Sequence, residues 1–334
     1  MGELAAAVDE AAQDHGFSGV VRIDRRGETR LARAYGHANR ALVVPNTLGT
    51  RFGIASGVKG FTALTVMSLV EDGVLSLDTT ARSLLGDDLP LVGDDVTVED
   101  LLAHRSGIGD YFDEDADLDI TDHVLAAPVH LLADTEDYVQ VLDGFPTKFP
   151  AGERFSYCNG GYVVLALLAQ RAAGTPFPDL VTERVCEPAG MSATTFLRSD
   201  ELPGDAALGY LRRDGLRTNV LHLPVRGSGD GGVYTAIGDV HGFWEALFAG
   251  RIVPSERVAQ MTAPVSDDPG EGRRYGLGFW LDATGDAVML EGYDAGVSFH
   301  TRHDRAAGLT WTVIANWSDG AWPIARRIRE LTAT

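Results

Sequence analysis

One serine and one lysine in this chain stand at a spacing that suits nucleophilic chemistry. In Phe52-Gly53-Ile54-Ala55-Ser56-Gly57-Val58-Lys59-Gly60, Ser56 opens an apolar helical pattern and Lys59 follows three positions later. That spacing puts both on one helical face, a turn apart. A serine hydroxyl attacks a carbonyl only when a neighbour takes its proton, and a lysine can do so when burial or nearby cations depress its pKa. The start of a helix also favours the charge that develops on the carbonyl oxygen. Alone, Ser-x-x-Lys is usually a helix cap followed by a solvated side chain. Lysine scarcity favours chemistry: Lys59 and Lys148 are the chain's two lysines among 28 Lys and Arg residues. An unperturbed arginine cannot serve as a base.

A second element lies further on, in Phe155-Ser156-Tyr157-Cys158-Asn159-Gly160-Gly161-Tyr162, just before another apolar helical run. A phenol beside a lysine can hold or relay a proton, and an asparagine two residues on can bond the lysine and donate to a substrate carbonyl. Read alone, Tyr157 is a tyrosine packed at a turn; with Ser56 and Lys59 it completes a Ser-Lys-Tyr set. His104, in Leu101-Leu102-Ala103-His104-Arg105-Ser106-Gly107, reads as a hydrogen-bonded structural residue rather than a base. His222, His241, His300 and His303 have no ligand spacing with cysteines or carboxylates, so no metal and no cofactor is expected.

Elements that must position these residues follow from periodicity. An acidic amphipathic helix fits residues 1–20, with Leu4, Val8 and Ala11 on one side. Two β-rich runs, 19–24 and 29–36, flank Asp24-Arg25-Arg26-Gly27 as a hairpin. Phe61, Leu64, Met67, Leu69 and Val70 give helical spacing over 57–73, and similar patterns recur at 98–103, 135–142 and 161–173. Strand signals return at 275–281, 287–290, 296–302 and 309–317, before a helix over 322–331. The expected fold class is α/β of the α+β type: one antiparallel sheet built from both termini, flanked by helices. The sheet subdomain takes residues 1–78 and 232–334, and a mostly helical subdomain, 79–231, is inserted between them.

Composition removes other classes. At 45% hydrophobic and 23% charged, 334 residues suffice for a large core. A net charge of -20 offers no basic surface for nucleic acid or an anionic membrane. No apolar run is long enough to span a bilayer. The first residues lack a signal peptide's basic start and apolar stretch, so a cytoplasmic location is expected. Cys158 and Cys186 are expected as free thiols.

Taken together, the motifs resemble the family of class C β-lactamases and penicillin-binding proteins, which includes D-Ala-D-Ala carboxypeptidases, D-aminopeptidases and related esterases. The resemblance runs through Leu101–Gly107, Phe149-Pro150-Ala151-Gly152-Glu153-Arg154, Cys186-Glu187-Pro188-Ala189-Gly190-Met191, Gly231-Gly232-Val233-Tyr234 and Tyr275-Gly276-Leu277-Gly278. It implies a β-lactamase/transpeptidase-like fold with Ser56 as the acylated residue, Lys59 and Tyr157 as the proton-transfer pair and Asn159 as a substrate-binding group. The family's third motif, Lys or His, then a variable residue, then Gly, is where this chain departs. In one register it reads Leu290-Glu291-Gly292, and Tyr293 supplies the second oxyanion amide beside that of Ser56. In the other it reads Tyr293-Asp294-Ala295. Both lack the cation that would bind a substrate carboxylate. The implied activity is therefore a serine hydrolase of esterase or peptidase type, forming an acyl-enzyme on a small-molecule ester, amide or peptide. A true β-lactamase or D-Ala-D-Ala carboxypeptidase and a non-catalytic penicillin-binding-like protein are the alternatives.

Overall fold

The computed structural model describes residues 2–114, 119–268 and 272–332. Helix α1 (Gly2–Asp14) is shorter than the pattern over 1–20 predicts, because the chain turns at Gly16 and enters a strand at Gly19; Met1 lies outside the described residues. Strands β1 (Gly19–Arg25) and β2 (Glu28–Tyr35) form the expected hairpin. Its two-residue loop, Arg26-Gly27, has positive φ at both positions (53° and 77°), the geometry that matches strand twist.

Six further strands complete the sheet: β3 (Ser266–Asp268), β4 (Arg273–Tyr275), β5 (Trp280–Leu281), β6 (Val288–Asp294), β7 (Val297–Asp304) and β8 (Leu309–Ala315). They are antiparallel throughout in the order β2-β1-β8-β7-β6-β5-β4-β3, so the N-terminal hairpin docks on the last strand, from Gly19 opposite Ala315 to Arg25 opposite Leu309. The sheet is thus built from both ends of the chain, as its sequence implies.

Alternation along the strands separates two cores. Val21, Ile23, Trp311 and Val313 face α1 and the closing helix α5 (Ala321–Thr332). Val20, Ile314, Phe299 and Leu290 face α2 (Lys59–Glu71), α3 (Asn159–Ala173) and α4 (Ile237–Phe248). Helix α2 buries every residue from Lys59 to Leu69, since it lies between the sheet and α3. A helix apolar all round belongs in such a central layer, and it carries the one lysine of the Ser-x-x-Lys pair into the interior.

One further expectation changes, and one helix lies where the sequence reading set no element. The run over 275–281 is not one strand: β4 stops at Tyr275 and β5 starts at Trp280, with Gly276 N–H donating to Phe279 O at 3.0 Å. Gly278 takes φ 92°, and a Cβ on Gly276 would lie 2.1 Å from Met261 O, so the glycines force a tight reversal. Helix α4 is the second difference. Ile237, Val240, Phe243, Trp244 and Leu247 have helical spacing, but Gly238 and Gly242 interrupt it and weaken the signal. Among the described residues, no helix is long and apolar enough to cross a membrane. Cys158 and Cys186 are free and buried.

Candidate active site

The turn that carries Ser56 is held from two sides. A short strand, Phe52–Gly53, pairs with Tyr234–Thr235, and Ile54 N–H donates to Val233 O at 3.1 Å. The chain then enters a 3₁₀ turn, Ala55–Val58, with Ala55 at φ 44°. Left-handed backbone at a non-glycine residue is strained and persists where its surroundings over-determine it. This turn delivers Ser56 to the start of α2, whose first residue is Lys59.

Lys59 is 2% exposed. Its Nζ lies 2.8 Å from Ser56 Oγ, 2.8 Å from Asn159 Oδ1 and 3.1 Å from the Asp230 carbonyl. Three acceptors around one amine satisfy a buried ammonium. The same geometry serves a neutral amine, which donates to Asn159 and Asp230 and turns its lone pair toward Ser56.

The Tyr157 ring lies 4.9 Å from Lys59 Nζ and stacks at 5.8 Å on Trp280, and its phenol faces the Ser56 side chain, which works to lower its pKa. Burial and the Glu114 carboxylate hold its pKa well above the usual phenol value, so it stays protonated. The structure therefore brings Ser56, Lys59, Tyr157 and Asn159 to one point, as their order in the sequence suggests.

Asn159 begins α3, where Asp110 accepts its N–H at 2.6 Å and that of Gly160 at 2.8 Å. The side-chain amide donates to Phe112 O (2.9 Å) and Glu114 Oε1 (3.2 Å). With its carbonyl on Lys59 and both amide hydrogens engaged by the protein, Asn159 is set up to hold the lysine more than to donate to a substrate.

Strand β6 crosses beside the Ser56 turn, with Gly292 at the point of closest approach. A Cβ on Gly292 would lie 2.0 Å from Ile54 O and 3.1 Å from Gly57 N, so only glycine admits this approach. Leu290, on the same face, is buried against Gly60 and Phe279. Glu291 points the other way, bonding His300 Nδ1 at 2.8 Å and pairing with Arg273. Burial would raise its pKa, but His300 and Arg273 outweigh burial and hold it at about 2. Tyr293, next in the strand, lines both cavities that flank Ser56.

One of those cavities holds about 90 Å³ and is walled by Ser56, Asn159, Tyr293 and three carboxylates, Glu114, Asp230 and Asp294, with Ile120, Leu125 and Leu223 beyond. Burial, reinforced by Asp230 and Glu114, pushes Asp294 up to about 7 despite Lys59 and the Ala295 N–H. Burial likewise raises Asp230, whose carboxylate accepts from Tyr111 OH at 2.5 Å. Across Ser56, an open cleft of about 740 Å³ runs past Tyr157, Trp280 and Arg302.

Asp110, Glu114 and Asp230 are absent from the residues that sequence reasoning singles out, and Asp294 enters there only as the variable residue of the alternative third-motif register. Asp230 had a signal, the glycine-rich Gly227-Ser228-Gly229-Asp230-Gly231-Gly232 run that marks close backbone approach. The other three sit in loops or at a strand end with nothing local to mark them.

The Beta-lactamase family model matches residues 4–333. The chain belongs to this family. It is 30% identical over 342 residues to a D-aminopeptidase of Brucella anthropi, covering 98% of this chain and 62% of the relative. It is 27% identical to the putative penicillin-binding protein PbpX of Bacillus subtilis, covering 80% of this chain and 62% of the relative. The chain thus spans about 60% of the length of these curated relatives. A crystal structure of a penicillin-binding protein from Bacillus halodurans superposes with a TM-score of 0.90 at 34% identity, covering 97% of this chain and 99% of that one. The antiparallel sheet with its flanking helices is the penicillin-binding-protein and β-lactamase fold.

Proposed function

We propose that the chain hydrolyses small amides or esters whose acyl part carries a protonated amine, through an acyl-enzyme on Ser56. The single observation that carries this reading is the acyl-sized cavity at Ser56, walled by Glu114, Asp230 and Asp294, with no lysine or arginine among its described lining residues. An ammonium there meets carboxylates; a substrate carboxylate meets repulsion, and in the Leu290-Glu291-Gly292 register the motif position that carries a cation in the family is a leucine. The likeness to a D-aminopeptidase supports the same choice, and makes D-amino-acid amides the substrates to try first.

Chemistry follows from the geometry. Ser56 Oγ forms a bond to the substrate carbonyl carbon as its proton passes to Lys59 Nζ, 2.8 Å away. Backbone N–H groups of Ser56 and Tyr293 receive the oxyanion. The C–N or C–O bond then breaks, with the leaving group taking a proton from the Tyr157 phenol, which Lys59 restores. Water attacks the ester in the second half, with the same groups returning the proton to Ser56.

D-Alanine p-nitroanilide and its N-acetyl derivative test the reading, since acetylation removes the charge, and D-lactic acid p-nitroanilide, neutral and no larger than the alanine compound, controls for the added bulk. One charge-assisted contact is worth about 1.5–3 kcal/mol, so kcat/KM is expected to drop roughly 10- to 100-fold on acetylation. Equal rates, or faster turnover of a chromogenic cephalosporin, would overturn the choice of substrate.

A further inference from the structure

His104 lies one layer behind the site, and its contacts converge on Tyr157. It is 1% exposed and keeps a left-handed backbone, φ 54°. Its carbonyl accepts the N–H of Ser156 at 2.9 Å and its Nδ1 accepts the N–H of Cys158 at 3.0 Å. One residue therefore grips the chain immediately before and immediately after Tyr157. The imidazole also lies 4.3 Å from the Tyr157 ring, tilted by 31°, with Tyr162 and Tyr275 each at 4.8 Å.

Because Nδ1 accepts, the ring proton resides on Nε2, which is buried and has no hydrogen-bond partner among the described residues. Burial and the Lys59 charge both disfavour a second proton, and among the described residues no carboxylate offsets them. This side chain thus neither transfers protons nor carries charge; it offers an acceptor and a flat face.

We propose that His104 is the positioning residue that sets the Tyr157 phenol against Ser56. This rests on the Ser-Lys-Tyr reading and goes beyond it. Neither half of the side chain suffices: asparagine keeps an acceptor without the ring, and phenylalanine keeps the ring without the acceptor. A phenol displaced by about 1 Å loses on the order of 10²-fold in rate, whereas a residue that merely stabilises the fold would leave the folded fraction at full rate.

The decisive experiment measures the second-order rate of Ser56 labelling by a fluorophosphonate, which requires no known substrate. Wild type, His104→Phe, His104→Asn, Tyr157→Phe and the two double variants are compared, with circular dichroism confirming fold. His104→Phe should slow labelling roughly 10- to 100-fold, and His104→Asn should recover part of that loss. In the Tyr157→Phe background both His104 changes should have less than about a twofold effect, because their route of action is gone. Should His104→Phe fail to fold, the Asn variant and its double decide alone. Wild-type labelling rates in folded His104 variants, or losses that persist undiminished alongside Tyr157→Phe, would overturn the role of His104. An unlabelled wild type would instead overturn the nucleophile itself.

Discussion

Replacing Gly292 by alanine is a one-carbon change whose consequence the geometry fixes. The new Cβ would lie 2.0 Å from Ile54 O and 3.1 Å from Gly57 N. An ordinary C···O contact is about 3.4 Å, so β6 and the Ser56 turn must separate by about 1.4 Å. Neither side can yield cheaply: β6 is paired with β7 along its whole length, and the turn is tied to Val233. Overpacking of this kind costs about 1–3 kcal/mol, which should lower the melting temperature without unfolding the protein at 20 °C. Rate should suffer more. A 1 Å error in placement costs on the order of 10²-fold, and loss of one oxyanion donor about 10²- to 10³-fold. The assay is kcat for D-alanine p-nitroanilide, with Tyr293→Ala as control, since it trims the side chain and keeps the amide. Gly292→Ala should fall at least 10²-fold in kcat while Tyr293→Ala stays within about fivefold. A folded Gly292→Ala enzyme with near-normal kcat would refute both the Leu290-Glu291-Gly292 register and the placement of the Tyr293 amide.

Other outcomes follow from the same geometry. Ser56→Ala and Lys59→Ala should each abolish turnover, and the double variant should be no worse than either, because the pair acts as a unit in steady-state kinetics. Asp294, held up at about 7, is ionised above that pH and neutral below it, so KM for amine-bearing substrates should rise as pH falls through about 7. The N-acetyl substrate should show no such limb, and Asp294→Asn should erase it. The same raised pKa contributes stability below the unfolded value of 3.8 that is lost as pH rises through about 7, so Asp294→Asn should raise the melting temperature at pH 8 and leave it unchanged at pH 3. Glu291, held at about 2 against an ordinary 4.5, works in the opposite sense: its contribution is present above 4.5 and lost as pH falls toward 2. Glu291→Gln should therefore flatten the acid limb of a melting-temperature profile over that window.

Much of this was legible in the chain because one-dimensional spacing maps directly onto local geometry. Ser56 and Lys59 share a helical turn, and Tyr157 and Asn159 mark the entry to α3, so their types and spacing announce a site before any fold is known. The sheet's two ends were equally readable, since β1, β2, β7 and β8 alternate or run apolar within single stretches. What stayed hidden depends on contacts across the chain. Asp110 matters through the N–H groups of Asn159 and Gly160, on another element. Asp294 acquires its unusual titration from burial and from Asp230 and Glu114, none of which is its neighbour in sequence. Helix α4 was obscured by its own glycines, whose low intrinsic propensity is overridden by packing against the sheet. His104 was readable as a hydrogen-bonded structural residue, but its two bonds astride Tyr157 required the fold.

The most direct measurement is the site of covalent modification. The protein is labelled with a fluorophosphonate, digested with trypsin and mapped by mass spectrometry, alongside Ser56→Ala. The adduct should sit on the peptide from Phe52 to Lys59, localised to Ser56, and be absent from the variant. An adduct on any other peptide, or labelling that survives in Ser56→Ala, would contradict the assignment of Ser56 as the nucleophile.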